Sequence, residues 1–169
     1  MNDWVQEQIA ALKSMYGKTV RRWIGLEMAL RDNDGGLPEW ENASIPFLQL
    51  ERIDAVLEDG ETARIVTYQN DDQWGIWRHD QLVALLPHSS EFAIYRTREL
   101  DELPLGEITN VEVEADDRGD IAAVRFLVAG HCLTLRAGEV YEESDGSLKI
   151  VWMDESILLD VDGRKPNRP

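Results

Sequence analysis

Beyond Pro38 the chain is written in short runs that alternate apolar and polar residues, separated by acidic and glycine-containing turns. Alternation puts successive side chains on opposite faces of an extended strand, so such a chain must build sheets with one face buried and one wet. The clearest run is Val111-Glu112-Val113-Glu114-Ala115. Asp117-Arg118-Gly119 then turns the chain into Ile121–Val128, where Ala122, Val124, Phe126 and Val128 share a face. Gly130 leads on to Leu133 and Leu135, Asp145-Gly146 to Leu148, Ile150 and Trp152, and residues 157–159 offer a last short strand.

The amino terminus follows a different period. Val5, Ile9, Leu12 and Tyr16 fall at helical spacing, Asp3 with Gln6 forms a variant capping box, and Gly17 suits the left-handed cap. From Val20, the residues Ile24, Leu26, Met28 and Leu30 alternate with Trp23, Gly25, Glu27 and Ala29, which suits a long strand relaxed at Gly25; a second helix is the competing reading. A weak internal repeat lays Ile53-Asp54-Ala55 over Val111-Glu112-Val113 and Phe92-Ala93-Ile94-Tyr95 over Leu148-Lys149-Ile150-Val151, although hairpins resemble one another whenever sheets demand alternation. The expectation is an α+β, mainly β domain over residues 1–163. A helix at 1–17 packs on antiparallel sheet, and two tandem four-strand meanders at 46–98 and 104–155 form a sandwich or open barrel. The basic, proline-punctuated residues 164–169 are expected to fray.

Charge narrows the partners. Against 17 Lys+Arg stand 33 Asp+Glu, a formal net charge of −16, and a field of that sign repels phosphate backbones and anionic lipid headgroups. Nucleic acid and membrane surfaces are therefore poor ligands. Cys132 is the only cysteine, so neither an internal disulfide nor a thiolate-rich metal site is available. With no basic leader and no long apolar run, the chain is expected to work in the cytoplasm.

Motifs for catalysis are missing. His79, His88 and His131 are scattered, and His131 beside Cys132 on a strand points to the opposite face. No nucleophile elbow, phosphate-cradling loop or dinucleotide fingerprint occurs. Asp32-Asn33-Asp34-Gly35-Gly36 is oxygen-rich but breaks the register of a calcium loop, and reads as a turn. No catalytic residue, cofactor or metal site is assigned. An enzyme would have to pair carboxylates such as Asp71, Asp72, Glu142 or Glu143 in a cleft.

Recognition is the better-supported theme. From Asp101 to Gly163 there are 16 acidic and 4 basic residues, a net of −12. Acidic turns are ordinarily no more than solvated surface, but concentrated ones also steer a cationic partner. The expected contact residues are Asp71, Asp72, Trp74, Asp116, Asp117, Glu142, Glu143 and Asp145. Trp4, Trp23 and Trp152 fall in apolar-periodic segments suited to the core or its edge; Trp40 reads as a lid or a recognition anchor.

The small acidic format, with residues 136–150 (RAGEVYEESDGSLKI) and Asp154-Glu155-Ser156-Ile157, resembles the immunity proteins of bacterial polymorphic-toxin and contact-dependent inhibition systems. The resemblance implies non-catalytic neutralisation of a basic toxin domain by occlusion, and carries over no individual binding residue. Two other readings stand beside it: a small-ligand protein with an internal cavity lined by Trp23, Trp77 and Phe126, and a homo-oligomeric module.

Overall fold

A computed structural model describes residues 3–80 and 93–167. Helix α1 (Asp3–Lys13) is followed by β1 (Thr19–Met28), β2 (Leu48–Leu57), β3 (Thr62–Asn70), β4 (Gln73–Arg78) and β5 (Tyr95–Glu99). The carboxyl-terminal part supplies β6 (Gly106–Ala115), β7 (Ile121–Val128), β8 (His131–Glu142) and β9 (Leu148–Val161). The architecture is α+β and mainly β, with every pairing antiparallel. Among the described residues no helix is long and apolar enough to cross a membrane.

The sheet closes on itself. Its order is β4-β3-β2-β9-β8-β7-β6-β1-β5 with an added β2–β1 pairing, so six strands, β1-β2-β9-β8-β7-β6, form a ring. Closure removes the unpaired edges that an open sheet exposes. Two seams are thin: β2 meets β9 through Leu48–Leu50 on Leu159–Ile157, and β1 meets β6 only at Thr19 and Val20. Beyond Leu50, β2 leaves β9 and pairs with β3 from Ile53 to Val56. The β3–β4 hairpin thereby branches off the ring and packs across β7, β8 and β9.

The expected tandem halves are realised unequally. β6 to β9 form the four-strand meander, whereas β2, β3 and β4 form a three-strand one and β5 pairs with β1. An acid fastens that pairing: the buried Glu27 accepts hydrogen bonds from Arg96 Nε at 2.8 Å and Arg98 Nε at 2.7 Å. A buried carboxylate needs such partners to hold its charge. Phe92 of the repeat and His88 lie outside the described residues.

Alternation delivers the core as read. Trp23, Leu50, Ile53, Ile65, Ile76, Phe126, Leu133 and Leu159 are wholly buried inside. Trp23 and Phe126 thus fill the interior, and Trp23 Nε1 donates to the Pro104 carbonyl at 2.9 Å. Helix α1 closes one end by burying Val5 and Leu12 against β4, β6 and β7. A smaller core of Leu30, Ile45, Val140 and Leu158 lies under the long β1–β2 connection. Contacts run to the basic end as well: Lys165 Nζ donates to the Trp40 carbonyl at 3.3 Å and Pro166 is buried.

The β7–β8 turn puts Ala129 at φ 48° and Gly130 at φ 81°. Both values belong to the left-handed region, which suits glycine and asparagine and strains alanine. Ala129 is exposed, so Ala129→Asn should stabilise the protein by about 1 kcal/mol, read as a raised denaturation midpoint at unchanged slope.

Candidate functional site

Folding the β3–β4 hairpin across the ring brings its turn to the β6–β7 turn. Arg118 Nη1 donates to Asp72 Oδ1 at 2.7 Å, joining residues 46 positions apart. This contact sets Asp71 and Asp72 beside Asp116 and Asp117 as one acidic rim. Asp116 is used within its own turn, accepting from the Arg118 and Asp120 amides at 3.0 and 2.8 Å. The Asp71 and Asp117 side chains make no ion pair or hydrogen bond among the described residues. Arg118 holds the Asp72 carboxyl below its ordinary pKa, chiefly through that hydrogen bond, so it stays charged.

Below the rim lies a recess of about 320 Å³ between the start of α1, the end of β3 and the β6–β7 turn. Trp4 and Tyr68 form its aromatic wall, edge to face with ring centroids 4.7 Å apart. Asp120, 2% exposed, sits at its base. Its Oδ1 accepts the Tyr68 hydroxyl at 2.9 Å and Asn70 Nδ2 at 3.0 Å. Tyr68 Oη in turn accepts the Ile121 amide at 3.2 Å. Burial, followed by the bond to Asp120 among the raising influences, pushes the Tyr68 pKa up to about 12 and keeps it a donor.

Gly75 makes this arrangement possible. It pairs with Tyr68 across the β3–β4 hairpin, and a Cβ there would lie 2.6 Å from the tyrosine ring. The ring can lie flat only over a residue without a side chain. Trp74, on the same strand beside Gly75, is half-buried near the turn, and Trp77 stacks on His79 with centroids 4.6 Å apart while leaning on Trp4.

The remaining expected contact residues lie elsewhere. Glu142, Glu143 and Asp145 occupy the β8–β9 turn, where Glu142 pairs with Arg31 at 3.5 Å, Glu143 with Lys149 at 3.7 Å, and Asp145 accepts from Ser147. β8 runs past Arg136, its last pairing with β7, on to Glu142, so the β8–β9 turn ends a hairpin that β7 no longer flanks. Trp152 departs from its expected place by being 51% exposed. Ala137 pairs with Ile157 but Gly138 with Trp152, so residues 153–156 form a bulge with Met153 at φ 58°; four extra residues keep the alternation, and Trp152 stays on the face opposite the buried Ile157. Trp152 then rests edge-on against Phe47 at 5.8 Å. Trp40 is held beneath Arg96, whose guanidinium carbon is 3.9 Å from the ring centre. His131 turns to Asp162 at 2.7 Å and Cys132 Sγ toward Thr134 at 3.8 Å, on different faces as alternation requires.

The carboxylates that meet closely are not those singled out in the sequence. Glu51 is itself an extra residue in β2, since Leu26 pairs with Arg52 and Glu27 with Leu50. It faces Glu139 across Ser156, whose Oγ lies 3.4 Å from Glu51 and 3.1 Å from Glu139. A hydroxyl has one proton, so both contacts are hydrogen bonds only when one carboxyl is protonated. Burial, then the Glu155 and Glu139 charges, pushes the Glu51 pKa from 4.5 up to about 7; burial also raises Glu139. No group of three or more metal-ligating side chains occurs among the described residues. No family model, curated protein or solved structure matches the chain.

Two predictions arise from these geometries. Gly75→Ala should cost about 2 kcal/mol by overpacking and move the Tyr68 ring resonances in an NMR spectrum. For Glu51, a folded pKa above the unfolded value means that stability is fully present below pH 4.5 and is lost as pH rises through about 7. Glu51→Gln should flatten that decline, gaining about 1–2 kcal/mol over the native chain at pH 8 after solvent screening. Parallel pH–stability curves for the two proteins would show that Glu51 titrates alike in both states.

Proposed function

We propose that the protein is an acidic binding protein that neutralises a cationic protein domain by occluding it, without catalysis, in the manner of the immunity proteins it resembles. The observation that carries the proposal is the joining of two acidic turns into one rim by the Arg118–Asp72 bond. Asp71 and Asp117 stand on that rim without partners among the described residues, available to a positive surface. Desolvated at an interface, such carboxylates give specificity, and before contact they steer the encounter.

An apolar patch completes the surface expected of a protein-binding site. Along β7, β8 and β9, Trp152, Met153, Ala122 and the buried Ala137 line an open recess of about 310 Å³ that Asp116 and Arg136 also border. Hot spots characteristically join an exposed tryptophan to a polar rim. The partner is a basic protein, with the acidic field opposing nucleic acid and anionic membrane.

Protection and kinetics test this directly. Cells expressing the chain should survive a basic toxin domain encoded beside its gene, and the purified pair should associate in a calorimeter. The double reversal Asp71→Lys with Asp117→Lys should slow association about tenfold at low salt, with the difference shrinking as salt is raised. Undiminished killing in expressing cells, with no heat on mixing, would contradict the proposal.

A further inference from the structure

The recess beneath the rim differs from the rim in being concave, aromatic and small. We infer that it is a binding site for a single organic cation, a guanidinium or primary ammonium on an aliphatic stem, which passes Trp4 and Tyr68 and ends on Asp120. The inference rests on the proposed capture of a basic partner and names the group of that partner which the cavity accepts.

Size sets the first limit. At about 320 Å³ the recess stands at the bottom of the range for ligand pockets, about 300–1,000 Å³, and suits one long side chain better than a cofactor. Charge sets the second. Asp120 is 2% exposed, yet its hydrogen-bond donors are neutral: the Tyr68 hydroxyl and the Asn70 amide. An ionised carboxylate offers about four acceptor positions. Tyr68 and Asn70 occupy those of Oδ1, while among the described residues Oδ2 receives only the same Asn70 nitrogen at 3.2 Å. A buried anion with acceptor capacity left over is completed best by a cation that brings its own donors.

The walls agree with that charge. Trp4 and Tyr68, meeting edge to face, give the recess an aromatic wall against which an alkyl stem can pack, and aromatic quadrupoles attract positive charge. Among the described residues Arg118 is the one cation lining the recess, and its guanidinium is bonded to Asp72 of the rim at 2.7 Å. Tyr68 is fixed from both sides, donating to Asp120 and accepting from the Ile121 amide, so the wall is built before any ligand arrives.

The test titrates the intact chain with Nα-acetyl-arginine amide and n-butylguanidinium, beside the uncharged ureas Nα-acetyl-citrulline amide and n-butylurea. Shifts of the Trp4 indole, the Tyr68 ring and the Ile121 amide are followed by NMR. Saturable shifts are expected with the guanidinium compounds, with the ureas at least about tenfold weaker. Asp120→Asn should lose about the same factor; Trp4→Leu, at the recess mouth, should weaken binding even if the Asp120 variant fails to fold. Equal binding of the ureas, or no saturable shift with any compound, overturns the inference. If a basic protein domain binds while guanidinium does not, the cation site fails and the proposed function stands. If guanidinium binds the recess while no basic domain is captured, the reverse holds.

Discussion

Everything in this molecule follows from the way β2 divides its hydrogen bonds. One edge pairs with β1; the other pairs first with β9 and then, past Glu51, with β3. A strand edge can satisfy only one neighbour at each residue, so the change of partner at Glu51 both closes the ring and expels the β3–β4 hairpin from it. The expelled hairpin has an apolar face, including the wholly buried Ile76, and must cover the ring with it. Its turn is thereby delivered to the β6–β7 turn, where Arg118 and Asp72 meet.

Two kinds of acid result, and they do different physical work. Rim carboxylates such as Asp71 and Asp117 are solvated, and their effect is a field that acts at a distance and weakens with salt. Asp120, Glu27 and Glu139 are buried, so each is committed to particular donors: tyrosine and asparagine, two arginines, and a serine shared with Glu51. Buried charge fixes position, whereas exposed charge selects sign. The recess joins the two, with Asp120 at its base and the rim above.

Much of the fold was legible because alternation and turn chemistry are local. The strand at Val111–Ala115, the turn at Gly130, the amino-terminal helix and the core positions of Trp23 and Phe126 all follow from near neighbours in sequence. Ring closure was not legible, since it depends on β2 changing partner at an inserted residue. The bulge at 153–156 was likewise not legible, and Trp152, which its apolar segment assigns to the core or its edge, is 51% exposed on the face opposite Ile157. In the site, Asp71, Asp72, Asp116 and Asp117 were visible as acidic turns, but their meeting is a matter of topology. Tyr68 and Asp120 went unnoticed because each looks ordinary in its own segment, and Trp4 reads in the sequence only as a core or core-edge residue. The available signal was Gly75 inside the aromatic run Trp74–Trp77, a gap in a strand that another side chain has to fill.

The central claim is that acidic charge here forms an organised surface and not an even coat. Chemical-shift mapping of the intact chain with a short arginine-rich peptide tests it most directly. The account predicts perturbations gathered at Trp4, residues 70–72 and residues 116–121, with the turn carrying Glu142, Glu143 and Asp145 left nearly unchanged. Shifts of similar size at every acidic turn would contradict it.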